Sequence, residues 1–248
     1  MAFPSPPLAQ CVKSHRINQP FTVLTNSKIV SRYTTFTELS RHEVEDRDYR
    51  IHLRMGTSGI AVVAPHGGKI ERGTLPIANA IAGEEHTFYA FEGIKPTLRA
   101  NRVLHVPSNH FDEPRALFAV VKAHRVLTLH GAKGTEEAVY AGGLDLELRL
   151  DVLSALNAAG FTADHDPSPT RQGRGPTNIC NRGRTGMGLQ LELTFGLRRR
   201  MFGHPDKQGY RRPTALFHQL VLAIREVLQY YHLQGERGGD RLQRLESF

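Results

Sequence analysis

The 248-residue chain has no tryptophan, only two cysteines, and no apolar run approaching the ~20 residues that a membrane span requires. Cys11 and Cys180 cannot build a disulfide framework, which leaves a reducing, cytoplasmic compartment as the natural expectation. The amino terminus, Met1-Ala2-Phe3-Pro4-Ser5-Pro6-Pro7, places no charged segment before an apolar stretch, so no secretory signal is expected. Release by lysis of a cell would leave no mark. Acidic residues are also in deficit. The 24 Asp and Glu face 32 Lys and Arg, a formal charge of +8 that favours an anionic partner by steering and local enrichment. The basic clusters Arg198-Arg199-Arg200, Arg211-Arg212 and Arg237 come late, where such runs are commonly solvated faces. There is no internal repeat, helix-turn-helix, zinc-finger spacing or aromatic stacking motif. A monomer is expected.

What is present reads as one α/β domain. Residues 1–32 are Pro-rich and irregular, an arm with strand character only at Phe21-Thr22-Val23-Leu24. Residues 33–233 carry the periodic elements, and 234–248 form a polar, flexible tail. Between Thr35 and Arg54, Ser40 with Glu43 suits a capping box and a short helix. Ile60–Ala64, His86–Phe91, Val103–Val106, the segment ending at His130, Phe161–Ala163 and Gly188–Thr194 read as strands. Thr74–Ala82, Pro114–Val121, the stretch from Leu146 to a stop at Gly160, and Thr214–Leu233 read as helices. Asp164–Arg174 is a Pro- and Gly-rich loop near whatever the site binds. Strands alternating with helices predict a mixed, largely parallel central sheet with helices on both faces. Sites in such sheets gather at the carboxyl ends of strands.

The most informative stretch is Ala61-Val62-Val63-Ala64-Pro65-His66-Gly67-Gly68-Lys69-Ile70-Glu71. A buried strand empties into a Gly-Gly turn that lets imidazole and carboxylate meet at one point. Val126-Leu127-Thr128-Leu129-His130-Gly131 repeats the pattern of apolar strand, His and Gly. His66, Glu71 and His130 would make the open three-ligand site of a catalytic zinc, and His-His-Glu ligation favours that metal over other divalent ions. A turn that merely carries two polar residues is the plain alternative. His105 is a rival ligand, although Val106-Pro107 after it lacks the opening glycine.

Glu192 sits in the apolar strand Leu189–Leu193, where an ionised carboxylate is costly without a purpose or a partner. It is the candidate general base, set against a solvent-facing Glu on a half-exposed strand. Alternation puts Gln190, Glu192 and Thr194 on one face. Asn181, Arg182 and Arg198 are candidates for holding substrate carboxylates, because the guanidinium fork pairs bidentately. Surface solubility is the competing reading of each arginine. Cys180 has no readable His partner and reads as a small buried residue.

The ordered motifs Ala64-Pro65-His66-Gly67-Gly68-Lys69-Ile70-Glu71-Arg72-Gly73-Thr74, Tyr89-Ala90-Phe91-Glu92-Gly93, Leu104-His105-Val106-Pro107-Ser108 and Phe111-Asp112-Glu113-Pro114 resemble the poly-γ-glutamate hydrolase family of bacteriophages and bacilli. Leu129-His130-Gly131, Gly142-Gly143-Leu144-Asp145, Asn178–Arg182 and Gly188–Glu192 leading to Gly196-Leu197-Arg198 extend the resemblance, which runs from about Tyr33 to Arg200 and faintly through the last helix. The resemblance implies a core like that of zinc carboxypeptidases, with zinc held by His66, Glu71 and His130. It also implies cleavage of γ-glutamyl amides by a metal-activated water, with Glu192 as general base and acid. The implied partner is a polyanionic γ-glutamyl polymer or peptide. One departure is plain: carboxypeptidases space the first His and Glu more closely and place their Asn-Arg before the last His, whereas Asn181-Arg182 follows His130. Two other readings stand beside this one. Families of this kind also carry a phage-related replication label, and a basic chain suits DNA. A zinc peptidase or amidase for other peptides, such as cell-wall γ-glutamyl links, shares the chemistry.

Overall fold

The apolar run before His66 becomes the middle of a seven-stranded mixed sheet. A computed structural model describes Met1, residues 32–202 and residues 212–245, with side chains through residue 233. The expected arm, with its Phe21–Leu24 segment and Cys11, lies outside the described residues apart from its two ends, as do residues 246–248. The strands are β1 (Tyr49–Arg54), β2 (Ile60–Gly68), β3 (Thr87–Gly93), β4 (Arg125–Gly131), β5 (Ala138–Gly143), β6 (Thr162–His165) and β7 (Leu189–Leu193), in the spatial order β1-β3-β2-β4-β7-β5-β6. The central strands β3, β2, β4 and β7 run parallel, β1 and β5 are antiparallel to their neighbours β3 and β7, and β6 is parallel to β5. The helices are α1 (Phe36–Leu39), α2 (Thr74–Ala82), α3 (Leu98–Asn101), α4 (Pro114–Val121), α5 (Leu146–Ala158), α6 (Phe195–Met201) and α7 (Ala215–Leu245). This is the mixed, largely parallel α/β architecture expected. Among the described residues no helix is long and apolar enough to cross a membrane.

Both faces of the central strands are covered, which is why they read as continuous apolar runs rather than alternating ones. On one face Val62, Ala64, Leu127 and Leu129 pack with Ile77 and Ile81 of α2, Leu148 and Val152 of α5, and Leu220 and Ile224 of α7. On the other, Ala61, Val63, Tyr89 and Phe91 pack with Leu104, Phe111, Val120 of α4 and Ile179. Each such side chain contributes roughly 1.5–3 kcal/mol of burial. Local signals set the helix starts. The Glu113 carboxylate accepts from Ala116 N at 2.7 Å ahead of Pro114, and Asp145 accepts from Leu148 N at 3.1 Å to open α5.

Four local expectations change. The first helix is capped by Thr35, whose Oγ1 accepts from Glu38 N, and Ser40 lies at its far end. Glu43 instead accepts from Tyr33 and pairs with Lys95. The segment 102–104 is a 3-10 turn and not a strand, because the buried Asn101 side chain donates to the carbonyls of Lys95 and Thr97 and curls the chain. Strands β1 and β5 carry too much charge or glycine to be read locally. In β5, a Cβ at Gly142 would stand 2.3 Å from the Gln172 carbonyl oxygen, and Gly143 has φ +90°. Finally, α7 continues to Leu245, past the expected end at 233.

Candidate metal centre and its surroundings

Strand β2 delivers His66 through an irregularity. It pairs with β3 in parallel up to Ala64↔Ala90, then resumes at Gly67↔Glu92, so one extra residue is accommodated on β2. The bulge spans Pro65 and His66, of which Pro65 has no N–H to lose, and such bulges re-aim the side chains beside them. Gly68 then turns with φ +64°, where a Cβ would stand 2.6 Å from both the Glu92 side chain and the Gly93 carbonyl oxygen. The turn closes with Glu71 N donating to His66 O at 2.9 Å, which brings the Glu71 carboxylate back over the strand end. Gly131 at the end of β4 holds that carboxylate, its N–H donating to Oε2 at 2.7 Å.

Three donor atoms converge there. His66 Nδ1 lies 3.2 Å from Glu71 Oε1 and 3.2 Å from His130 Nδ1, and His130 Nδ1 lies 3.7 Å from Glu71 Oε2. The opposite nitrogens point away: His66 Nε2 meets the Val106 carbonyl at 2.7 Å and His130 Nε2 meets Ser108 Oγ at 3.3 Å. Assigning the ring protons to those outward bonds leaves two imidazole lone pairs and a carboxylate facing one another in a buried spot. That arrangement is repulsive without a cation. Tetrahedral zinc with ligands at about 2.0–2.1 Å has edges of roughly 3.3 Å, so this donor set fits the ion. The outward bonds are the kind that orient metal-bound histidines.

The two imidazoles are shifted in opposite directions. Burial, with the charge of His105 beside it, lowers His66 to about 4, so its ring is neutral at pH 7. Burial alone would raise Glu71. The facing His66 and the neighbouring His105 and His130 outweigh it and hold the carboxylate well below its usual range. Burial would also lower His130, but the adjacent carboxylates of Glu71 and Glu192 raise it.

Glu192 stands beside this cluster. The register pairs His130 with Glu192 and Thr128 with Gln190 on adjacent parallel strands, so these side chains share one face. All five residues of β7 are buried, and Glu192 is 7% exposed, which removes the half-exposed-strand reading. Burial raises its carboxyl to about 7, with the Glu71 charge adding and those of His130 and Arg171 opposing. Gln190 Nε2 donates to Glu192 Oε1 at 3.2 Å and to Arg171 O at 2.7 Å.

The three expected carboxylate holders are placed elsewhere or already occupied. Arg198 is buried, and its guanidinium donates to the carbonyls of Leu193, Arg72 and Ala132, tying α6 to the Glu71 loop. The Asn181 side chain accepts from Leu144 N and Gly188 N and donates to the carbonyls of Gly173 and Gly175. Arg182 is exposed, in a turn whose neighbour Arg184 donates its N–H to Ala123 O ahead of β4, the end of the strand opposite His130. The Cys180 thiol is buried and pushed up to about 12 by that burial, as suits a packing residue.

Two further groups stand near the site, the rival ligand His105 and Arg171, which the sequence reading did not single out. His105 stacks on His66 with ring centroids 3.9 Å apart, and its Nε2 lies 3.6 Å from Glu71 Oε1. His66, Glu71 and His105 thus form a second compact donor set, within 4.8 Å of one another. Arg171 is held through Nε and Nη2 at 3.0 Å by the fully buried Asp166 carboxylate, while 37% of its own side chain stays exposed. It lies over Tyr140, the antiparallel register partner of Glu192. For His105 a weak signal existed in its position after Leu104. For Arg171 only its place in the polar loop hinted at a role.

Residues 33–223 match the poly-gamma-glutamate hydrolase family. YndL of Bacillus subtilis (strain 168) is 35% identical over 203 residues, 80% of this chain and 77% of YndL. YmaC of the same organism is 31% identical over 201 residues, 79% of this chain and 83% of YmaC. The fold superimposes on a bacteriophage poly-gamma-glutamate hydrolase with a TM-score of 0.77 and 31% identity, covering 82% of this chain and 100% of the other. It superimposes on a zinc-free apo form of YndL with a TM-score of 0.75 and 32% identity, covering 81% and 98%. From Tyr33 into the first third of its last helix, a span that includes every residue of the candidate metal centre, this chain belongs to the poly-gamma-glutamate hydrolase family.

Proposed function

We propose that the protein is a zinc-dependent amidohydrolase that cleaves the γ-glutamyl amide bonds of poly-γ-glutamate. The observation that carries this reading is the convergence of His66 Nδ1, His130 Nδ1 and the Glu71 carboxylate within 3.2–3.7 Å, with the buried Glu192 on the neighbouring strand. A phage relative named as a poly-gamma-glutamate hydrolase and a relative solved in a zinc-free form support the substrate and the metal. His66, Glu71 and His130 hold the zinc, which when bound supplies a Lewis acid for the amide carbonyl and acidifies water.

Glu192 does the proton work. Burial keeps its carboxyl poised near neutrality rather than near 4.5. From there it takes a proton from the attacking water and returns it to the departing amine nitrogen as the C–N bond breaks. Gln190 orients the carboxylate from behind through its amide. Arg198 braces the Glu71 loop from α6. Arg171, aimed by Asp166 and partly exposed, receives a glutamyl carboxylate at the mouth of the site, the role first expected of Arg182, Arg198 and Asn181.

Poly-γ-glutamate incubated with zinc-loaded protein, chelated protein and a Glu192→Gln variant tests the reading by polymer size. Shortening is expected only with metal present and Glu192 intact, and the variant should lose about 10²–10⁴ in rate while keeping its zinc. An untouched polymer alongside one bound equivalent of zinc would overturn the substrate assignment and point to other γ-glutamyl peptides.

A further inference from the structure

A concavity of about 720 Å³ is lined in part by the loop that carries Glu71. It lies between that loop and α6, at the edge of the sheet where β2 and β7 end, and therefore on the same rim as the metal centre. Its walls combine Lys69, Arg72 and Arg199 with the apolar surfaces of Phe195, Phe202 and Pro213, and no acidic side chain lines it among the described residues.

The cations are the informative part. Arg200, exposed like its neighbour Arg199, pairs with Glu137. Arg72 and Arg199 are exposed and make no ion pair among the described residues, and Lys69 Nζ donates only to the carbonyls of Lys95 and Pro96. Three like charges gathered in one groove repel one another, and an anion there relieves the repulsion. The aromatic and proline walls add a requirement that the anion also carry methylene surface. A chain linked through side-chain amides meets both: each unit hangs one free carboxylate from a backbone rich in CH₂ groups.

We infer that this groove is an auxiliary subsite that binds the carboxylates of γ-glutamyl units neighbouring the one being cleaved. This rests on the poly-γ-glutamate reading above and adds to it a polymer track running from the metal centre over the Glu71 loop. Arginine forks take the carboxylates bidentately, and the Phe195 and Phe202 rings cover the methylenes. The groove thereby sets the preference for long substrate over short.

The test compares the zinc-loaded wild type with an Arg72→Ala/Arg199→Ala double variant on long poly-γ-glutamate at several salt concentrations, with bound zinc measured for each. If the groove binds polymer, KM rises at least about tenfold in the variant at unchanged zinc content. The salt dependence of KM also becomes shallower, since two exposed charge contacts are gone. A variant with wild-type KM and salt dependence, from an enzyme that does cut the polymer, overturns the subsite and leaves the activity standing. A zinc-loaded wild type that neither cuts nor binds the polymer overturns both. Should the change at Arg72 disturb the Glu71 loop, seen as lost zinc, Arg199→Ala alone carries the comparison, with the same two outcomes.

Discussion

His130 and Glu192 are direct register partners on β4 and β7, within a parallel ladder that runs from Leu127↔Leu189 to Gly131↔Leu193. The pairing welds a metal-ligand candidate to the candidate base through backbone hydrogen bonds rather than through a loop. A slip of one residue would send Glu192 to the opposite, leucine-packed face. The next position down, Gly131, holds Glu71 by its N–H, and a Cβ there would stand 2.7 Å from the Arg198 guanidinium carbon and 2.9 Å from Glu71 Cβ. Candidate ligand, candidate base and carboxylate anchor are consecutive consequences of one strand pairing.

The two overlapping donor sets make different predictions for zinc. With His66, Glu71 and His130 as ligands, His130→Ala should lose stoichiometric zinc. His105→Ala, which removes a ring stacked on His66 and beside Glu71, should weaken affinity by about 10–100-fold while still filling the site. Zinc content after dialysis against graded chelator reads both. The reverse order would transfer the ligand role to His105.

Arg171 is aimed by Asp166 through two parallel hydrogen bonds, so its charge and its geometry can be separated. Arg171→Lys keeps the charge and loses the fork. A substrate role predicts a KM increase of about tenfold or more with kcat less affected, and a similar effect from Asp166→Asn acting through Arg171. Steady-state kinetics on polymer decide it. Equal falls in kcat and kcat/KM with KM unchanged would instead place Arg171 in the chemical step.

His86 offers a pH signature outside the candidate metal centre. Burial, with the charges of Arg225 and His232, depresses it to about 4 against the opposing Glu85, and its Nδ1 lies 2.7 Å from Ser58 Oγ. Between about pH 6.5 and 4 the unfolded chain takes up a proton that the folded chain refuses. Stability from this group is therefore whole above pH 6.5 and is lost as pH falls through that window, by on the order of 3 kcal/mol. Denaturant unfolding of wild type and His86→Gln across pH 4–7 should show the steeper loss in the wild type. Parallel curves would mean that His86 titrates normally in the fold.

Much of the candidate site was legible because its signals are local. An apolar run, a His and a glycine announce a strand end that exposes an imidazole, and the sequence carries that phrase at His66 and at His130. A carboxylate inside Leu189–Leu193 is conspicuous for the solvation it gives up. The helices opening at Pro114 and after Asp145 were legible for the same reason, since caps and 3.6-residue spacing act within a few residues.

The roles of the polar side chains were decided by the tertiary structure. Asn181 and Arg198 look like ligand-binding residues in sequence. In the fold each is occupied by carbonyl or amide groups from separate segments, Leu144, Gly173, Gly175 and Gly188 for one and Arg72, Ala132 and Leu193 for the other. Arg171 and His105 show the converse, gaining their positions from Asp166 and from the turn that Asn101 curls. Strand ends are written in the order of residues along the chain, because burial and backbone preference act there. Which side chain reaches a site and which is consumed in holding the chain depends on unpaired backbone groups brought near by strand order and loop closure, and those neighbours exist only once the sheet has assembled.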